Sequence, residues 1–236
     1  MSQRDRSMVT ALNEASALNG PLARRLAFYT AQHHELNPDV ALAYQRLIDR
    51  FSNAGTGAGG LGSGVPNIGD PMPPFLLPDD QGRLVSRGDL QTDGPLVVSF
   101  NRGHWCGYCG IELRALADAK EELDALNANV VAIVPERQIY ARRLKTKHGI
   151  GFPVLSDIDN AYALSLGLMT WVGEELRGIL QGYQIDLARF QGSEGWFLPI
   201  PATIVINSDG RVRARHVDPD YRRRMDIEDI LAAIAS

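Results

Sequence analysis

Residues 96–112 read LVVSFNRGHWCGYCGIE, and this stretch decides the fold. Its first five residues are apolar or β-branched apart from one serine, which predicts a buried β-strand. Leucines at helical spacing follow within residues 105–127, which predicts a helix that begins directly after the turn. A strand that passes into a helix is typical of an α/β sheet, where the carboxyl end of a strand is the usual place for a site. The sequence therefore predicts an α/β fold with its functional site in this turn.

The turn contains both cysteines of the 236-residue chain, Cys106 and Cys109. A disulfide across so short a loop removes little entropy from the unfolded chain, so the pair is not a structural staple. A helix N-terminus offers free N–H groups and a partial positive charge, which lower the pKa of a thiol and favour the reactive thiolate. Two such thiols can form an intramolecular disulfide and so exchange two electrons. We therefore predict that both cysteines are catalytic.

Composition and charge argue against several other classes of protein. The chain has 24 basic and 28 acidic residues, a net charge of −4, which disfavours nucleic-acid binding. No apolar run approaches the roughly 20 residues that span a bilayer, and residues 1–20 lack the apolar segment of a secretory signal, so we expect a cytoplasmic protein without membrane contact. One C-x-x-C supplies only two of the four ligands of a zinc site, so we expect no metal and no cofactor. The basic run at residues 222–224 predicts a solvated face.

The chain divides into three parts by pattern. Residues 1–52 have apolar side chains at helical spacing, interrupted at Gly20, and predict a helical hairpin that forms an N-terminal arm. Residues 53–65 are rich in glycine and predict a flexible linker. Residues 66–236 alternate strands and helices and predict an α/β domain with a mixed sheet, interrupted by an insertion at residues 168–200.

The C-x-x-C turn resembles the active-site loops of two related groups of proteins. Residues 105–109 read WCGYC and resemble the W-C-G-P-C loop of thioredoxins. The wider stretch resembles the peroxiredoxin-like branch of the alkyl hydroperoxide reductase/thiol-specific antioxidant (AhpC/TSA) family, which reads F-Y-R-G-x-W-C-P-Y-C before a leucine-rich helix. The resemblance covers about residues 66–236, with GDPMPPF at 69–75, FPVLSD at 152–157 and PIPATIVIN at 199–207. It implies a thioredoxin-like fold, reduction of peroxides by thiols, a thioredoxin-like dithiol as reductant, and a homodimer.

The resemblance leaves open which cysteine attacks the peroxide. If Cys109 attacks, Phe100 and Glu112 occupy the places of the Phe and Glu in the peroxiredoxin pattern, which mildly favours this frame. Arg102 and Cys106 then stand where that pattern has Pro and Thr. In the thioredoxin frame the first cysteine, Cys106, is the attacking thiol. We expect both to be catalytic and leave their order open.

A second departure concerns the arginine that orients peroxide. Typical peroxiredoxins carry it just before the late strand, where this chain has Pro201. By resemblance to thioredoxins, we expect a cis bond between Ile200 and Pro201 that packs against the cysteines. Arg102 is our candidate to replace the missing arginine, and the alternative interpretation is a solvated loop charge. The residues expected to stabilise the substrate or the thiolate are Arg102, Trp105, Glu112 and Pro201.

Three functions fit these observations. The first is a thiol-dependent peroxidase that reduces hydrogen peroxide and organic hydroperoxides through Cys106 and Cys109. The alternative is a protein-disulfide or dithiol oxidoreductase with little peroxidase activity, which Pro201 and the missing arginine favour. A further alternative is a redox-sensing interaction module, whose helical arm binds a partner when the disulfide forms.

Overall fold

The computed structural model describes residues 3–53, 62–92 and 94–236. Most of the glycine-rich segment predicted as a linker, residues 54–61, lies outside the described residues. The elements in chain order are α1 (Gln3–Ala17), α2 (Leu22–Leu36), α3 (Pro38–Asn53), β1 (Leu76–Pro78), β2 (Leu84–Ser86), α4 (Arg87–Leu90), β3 (Leu96–Phe100), α5 (Gly107–Asp118), α6 (Lys120–Ala125), β4 (Asn129–Val134), α7 (Gln138–His148), β5 (Val154–Ser156), a 3₁₀ turn (Ile158–Asn160), α8 (Ala161–Ser165), β6 (Met169–Trp171), α9 (Glu174–Gly182), α10 (Leu187–Gln191), β7 (Phe197–Pro199), β8 (Ala202–Ile206), β9 (Val212–Val217) and α11 (Ile227–Ala235).

A five-stranded mixed sheet forms the centre of the fold, as the sequence predicts. Its strand order is β5-β4-β3-β8-β9, with β3, β4 and β5 parallel and with β8 antiparallel to both of its neighbours. The middle strand, β3, is buried along its whole length. Its last residue, Phe100, pairs with Ile133 on one side and Ala202 on the other. The turn with both cysteines therefore leaves the sheet at its centre.

Side chains that alternate along β3 separate the two faces of the sheet. Leu96, Val98 and Phe100 pack with β1, β2 and α8 on one face. Val97 points to the other face and packs with Leu113 of α5 and residues of α7 and α11. The helix predicted over residues 105–127 is two helices, α5 and α6. Its first part, α5, starts at the carboxyl end of β3 and covers one face of the sheet.

The N-terminal arm packs on the outer side of α5. It contains three helices rather than the predicted hairpin, because the break at Gly20, where φ is +106°, separates α1 from α2 and a second break precedes α3. A third apolar cluster joins the arm, the insertion at residues 168–200 and both cysteines. The insertion forms a β6–β7 hairpin around α9 and α10. The arm and the insertion together therefore cover the turn after β3.

Within the described part of the chain, no helix combines the length and the apolar character needed to cross a lipid bilayer.

Candidate active site

The turn after β3 is held by a buried carboxylate from the neighbouring parallel strand. Glu136 lies two residues beyond the end of β4 and is 1% exposed. Its carboxylate accepts hydrogen bonds from the backbone N–H of His104 (2.7 Å) and lies 2.8 Å from Nδ1 of the same residue. Gly103 has φ +135°, and a Cβ there would lie 2.5 Å from Glu136, so only glycine fits. Glu136 is not among the residues predicted from the sequence, although its position after a parallel strand is a signal, because such strand ends meet at one edge of the sheet.

The two thiols lie side by side at the start of α5. The Cys109 thiol donates a hydrogen bond to the Cys106 sulfur, with 2.8 Å between the two Sγ atoms. Cys106 is the N-cap of α5, and its sulfur also accepts from the Cys109 backbone N–H at 3.4 Å. The Arg102 backbone N–H donates to the Cys109 sulfur at 3.3 Å. Both cysteines are free and buried, so this is the structure of the reduced dithiol.

The electrostatic surroundings separate the two thiols. Burial raises the pKa of Cys106, but the hydrogen bond from Cys109 and the charges of Arg102 and Arg224 outweigh it and bring the pKa to about 6. Burial, together with the hydrogen bond to Cys106 and the negative charge there, raises the pKa of Cys109 well above its ordinary value. These opposite shifts favour the thiolate at Cys106 and the protonated thiol at Cys109. This assignment differs from the mild preference for Cys109 that the family pattern gives.

Arg102 is buried against aromatic rings, so its alternative interpretation as a solvated loop charge is wrong. The guanidinium carbon lies 4.5 Å from the ring centre of Tyr44, 5.0 Å from that of Trp105 and 4.2 Å from that of Tyr221. Its Nη2 donates a hydrogen bond to the Tyr44 hydroxyl. Its Nε and Nη1 are buried and have no hydrogen-bond partner among the described residues. Arg102 therefore brings a positive charge and two free donors to the thiols.

A second buried arginine, Arg224, lies behind Cys109, so the predicted solvated face at residues 222–224 is wrong for this residue. Its Nη2 lies 3.7 Å from the Cys109 sulfur, and its Nη1 donates to Oε2 of Glu112. The other oxygen of Glu112 accepts from Ser99 Oγ (3.0 Å) and Thr203 Oγ1 (3.1 Å). Arg224 thus lies between Glu112 and the Cys109 sulfur, and connects the carboxylate to the thiols. Arg224 is not among the site residues predicted from the sequence, because nothing in the basic run distinguishes it from its two neighbours.

Pro201 is placed beside the site by β8 but does not have the expected conformation. It precedes Ala202, which pairs with the last residue of β3, and it is buried. Every peptide bond of the described residues is trans, so the expected cis bond between Ile200 and Pro201 is wrong. The trans form is the ordinary one for an X–Pro bond, since it is favoured by about 0.5–1 kcal/mol, and the cis expectation was taken from thioredoxins alone.

A cavity of about 290 Å³ opens above Cys106. Trp105 and Arg102 both line it. The arm and the insertion supply most of its other walls, which are largely apolar. Its lining includes Tyr44 from α3, Leu180 and Ile185 from the insertion, and Tyr221. Cys109 does not line the cavity, so a small molecule in it meets the Cys106 sulfur first.

Similarity to a known protein family over residues 68–215 shows which family the chain belongs to. The profile described as the AhpC/TSA family matches residues 68–215, more than half of the chain. The chain belongs to the AhpC/TSA family. This AhpC/TSA protein is 28% identical over 114 residues to peroxiredoxin Bcp of Escherichia coli K12, which is 47% of this chain and 72% of the relative. It is also 28% identical over 102 residues to a Bcp protein of Haemophilus influenzae, which is 43% of this chain and 65% of that relative, just under two thirds.

Solved structures confirm the thioredoxin-like, peroxiredoxin-like fold of this AhpC/TSA protein. The crystal structure of peroxidoxin BcpB from Mycobacterium tuberculosis has a TM-score of 0.55 at 22% identity and covers 71% of this chain and 96% of that chain. Thiol peroxidase from Chromobacterium violaceum has a TM-score of 0.52 at 18% identity and covers 72% of this chain and 87% of that chain. At these identities the likeness shows the fold, and the chemistry has to be argued from the site.

Proposed function

We propose that the protein is a thiol-dependent peroxidase in which Cys106 attacks the peroxide and Cys109 resolves the product. The observation that carries this proposal is the placement of the two sulfurs. Cys106, with its pKa lowered to about 6, faces the cavity, and the Cys109 sulfur lies 2.8 Å behind it. Relatives and structural neighbours named peroxiredoxin and thiol peroxidase support the same reaction class.

The first step forms an S–O bond and breaks the O–O bond. The Cys106 thiolate attacks the terminal oxygen of the hydroperoxide and becomes a sulfenic acid, while the remaining oxygen leaves as an alkoxide or hydroxide. A proton from solvent in the cavity converts this leaving group to an alcohol or water. The Cys109 thiol, which does not line the cavity, releases its own proton to solvent and becomes a thiolate. The two electrons that reduce the peroxide come from the Cys106 sulfur.

The second step joins the two sulfurs. The Cys109 thiolate attacks the Cys106 sulfenic acid, hydroxide leaves, and a proton from solvent converts it to water. An external dithiol of the thioredoxin type then exchanges with the Cys106–Cys109 disulfide and restores both thiols. Because the chain has two cysteines in all, the resolving thiol within the chain is the C-x-x-C neighbour.

Arg102 is placed to stabilise the charge that develops during the first step. Its Nε and Nη1 need acceptors, and the leaving oxygen of a peroxide in the cavity offers one. Fixed donors that point at a developing negative charge are usually a large part of catalysis. Trp105 holds the other side of the guanidinium, whereas Glu112 acts at a distance by holding Arg224.

The charges around the site favour a neutral substrate. The positive charges of Arg102 and Arg224 are balanced by the Glu112 carboxylate and the Cys106 thiolate. A neutral hydroperoxide enters without leaving a buried charge unpaired, whereas an anionic substrate adds a charge that these groups do not compensate.

The alternative function, reduction of protein disulfides, is favoured by the low pKa of the first cysteine of the C-x-x-C motif. Exposure argues against it, because Cys106 is 4% and Cys109 0% exposed beneath the arm. A protein disulfide has to bring its own sulfur into line with the attacking thiolate, and the cavity admits small molecules more readily. An insulin-reduction assay at equal protein concentration separates the two functions.

Two finer parts of the proposal are a homodimer, which depends on the family resemblance, and a cytoplasmic location, which is the expectation from the sequence. Sedimentation equilibrium of the reduced and oxidised protein tests the first, and cell fractionation tests the second. A monomer in both redox states contradicts the homodimer.

The deciding experiment mixes the reduced protein with hydrogen peroxide or tert-butyl hydroperoxide and follows tryptophan fluorescence by stopped flow, since Trp105 adjoins Cys106. We expect a second-order rate constant at least about 100-fold above that of free cysteine, in line with the pKa and donors of the site. A rate no faster than that of free cysteine refutes the peroxidase.

The two cysteine variants then test the order of attack. In Cys109→Ser, a sulfenic-acid reagent should label Cys106, because no resolving thiol remains. In Cys106→Ser, we expect little label on Cys109. Rapid labelling of Cys109 in this second variant reverses the proposed order without affecting the peroxidase assignment.

A further inference from the structure

Arg102 is enclosed by aromatic rings from three separate parts of the chain. Trp105 comes from the same turn, Tyr221 from the segment before α11, and Tyr44 from α3 of the N-terminal arm. The rings of Tyr44 and Tyr221 also contact each other, with centroids 4.6 Å apart. A long arginine side chain has many rotamers in solution, so this aromatic box fixes the guanidinium next to the thiolate.

Among these three rings, Tyr44 also has a polar contact with the guanidinium. Its hydroxyl accepts a hydrogen bond from Arg102 Nη2, and both side chains are buried. Packing between rings leaves the guanidinium free to rotate within its own plane. A hydrogen bond to one terminal nitrogen, here Nη2, fixes that rotation. The nitrogens left without a hydrogen-bond partner among the described residues are Nε and Nη1, and Arg102 is one of the residues that line the cavity.

A purely structural role does not account for the hydroxyl. A buried aromatic residue that serves only packing needs no oxygen, since an unpaired buried hydroxyl destabilises the fold. Burial raises the pKa of Tyr44, so the group is a neutral phenol that leaves the charge of Arg102 intact. The Tyr44 hydroxyl thus hydrogen-bonds Arg102 in the turn, a contact that α3 does not need for its own packing.

We propose that Tyr44 is a positioning residue that orients Arg102 toward the peroxide, so that the N-terminal arm supplies part of the active site. This inference rests on the proposed function, in which Arg102 stabilises the leaving oxygen. Tyr44 itself acts through Arg102 and has no step of its own in the reaction.

The test replaces Tyr44 with phenylalanine, which keeps the ring and removes the oxygen. A hydrogen bond to a charged group typically corresponds to about 10- to 100-fold in a rate or equilibrium constant, so we expect a decrease of that size in the rate constant for peroxide. The matched control is Tyr162→Phe, which removes a hydroxyl that donates to the Pro73 carbonyl at 2.8 Å in the core on the other face of the sheet. The control should stay within about twofold of the wild type, since it lies outside the site.

A double-mutant cycle shows whether Tyr44 acts through Arg102. In an Arg102→Met background, Tyr44→Phe should have no further effect on the rate. A Tyr44→Phe protein that reacts as fast as the wild type overturns the inference, and so does an equal decrease in both backgrounds. Should Tyr44→Phe be too unstable to assay, 3-fluorotyrosine at position 44 weakens the oxygen as an acceptor and should give a smaller decrease in the same direction.

A second measurement separates this inference from the peroxidase assignment. Alkylation of Cys106 by iodoacetamide as a function of pH reports its pKa and needs no peroxide. We expect its midpoint, about pH 6 in the wild type, to move upward in Tyr44→Phe and to stay in place in Tyr162→Phe. If the wild type fails to reduce peroxide but this midpoint still moves, the peroxidase is wrong and the Tyr44–Arg102 contact stands. If the wild type reduces peroxide and neither midpoint nor rate changes, Tyr44 is not a positioning residue.

Discussion

Breaking the buried ion pair between Glu112 and Arg224 from either side should shift the pKa of Cys106 in opposite directions. Of these two residues, it is Arg224 that lies within hydrogen-bonding distance of a thiol. Arg224 Nη2 is 3.7 Å from the Cys109 sulfur, and Glu112 is bound to the other terminal nitrogen. We consider the variants Arg224→Met and Glu112→Gln, each alone and both together. The free energy of unfolding should depend on whether one charge is left buried without its partner. The pKa of Cys106 should depend on the net positive charge of the two residues.

The two single variants should be destabilised to a similar extent. Each leaves one charged partner buried without compensation, which costs about 3–5 kcal/mol of the free energy of unfolding. In the double variant no uncompensated charge remains, so most of that loss should be recovered. Urea unfolding followed by circular dichroism measures the free energy of unfolding of the wild type, the two single variants and the double variant.

The pKa of Cys106 should move in opposite directions in the two single variants. A cation within about 4–6 Å lowers the pKa of an acidic group by about one to three, so Arg224→Met should raise the pKa of Cys106 from about 6 toward 7–9. At pH 7 the thiolate fraction then falls from about nine tenths to between about one half and one hundredth. Glu112→Gln should lower the pKa further, since the charge of Arg224 is no longer neutralised.

Alkylation of Cys106 by iodoacetamide between about pH 4.5 and 9.5 gives the four midpoints. The double variant should have a midpoint between those of the wild type and Arg224→Met, because it also lacks the negative charge of Glu112, while its stability recovers. If both single variants move the midpoint in the same direction, or if Arg224→Met leaves it unchanged, then Arg224 does not stabilise the thiolate and the electrostatic account of the site is refuted.

Three further predictions concern pH and backbone. The rate of peroxide reduction should fall as the pH decreases through about 6, because the lowered pKa of Cys106 keeps the thiolate above that pH and loses it below; a stopped-flow rate that is flat from pH 4.5 to 8 contradicts this. Gly103→Ala should lower the free energy of unfolding by about 1–3 kcal/mol or more, since its φ is +135° and the new Cβ meets Glu136; urea unfolding measures it, and an unchanged midpoint is the contrary result. Gly107→Ala places a Cβ 2.2 Å from the Tyr29 hydroxyl, so it should loosen the arm and increase its cleavage by trypsin, and adding Tyr29→Ala should relieve the clash; equal cleavage of wild type and variant argues against close packing of the arm here.

The position of the site could be predicted from the sequence because local patterns encode it. The buried run of β3, the C-x-x-C spacing and the start of the helix after it lie within 17 consecutive residues. The order of attack could not be predicted, since it depends on which sulfur faces a cavity and which cations lie nearby. Those features are set by segments that are distant in sequence.

Arg224 and Tyr44 show why the rest of the site escaped prediction. Arg224 pairs with a residue 112 positions away, and Tyr44 with one 58 positions away, so no periodicity or spacing links them to the turn. Arg224 sits in a run of three arginines that looks solvated, and only the packed fold shows that one of them is buried. The cis bond expected at Pro201 was borrowed from thioredoxins, and the bond is trans in the structure.

The separation of these partners along the chain has a consequence for biosynthesis. A ribosome releases Cys106 long before it adds Arg224, so the nascent chain carries its thiols without the ion pair that encloses them. In an unfolded segment a cysteine has a pKa of about 8.5 and is mostly protonated, and a protonated thiol resists oxidation to sulfenic and sulfinic acids. The chain therefore protects its cysteines while it is being made. We expect it to become sensitive to peroxide as the fold brings Arg102 and Arg224 to the thiols.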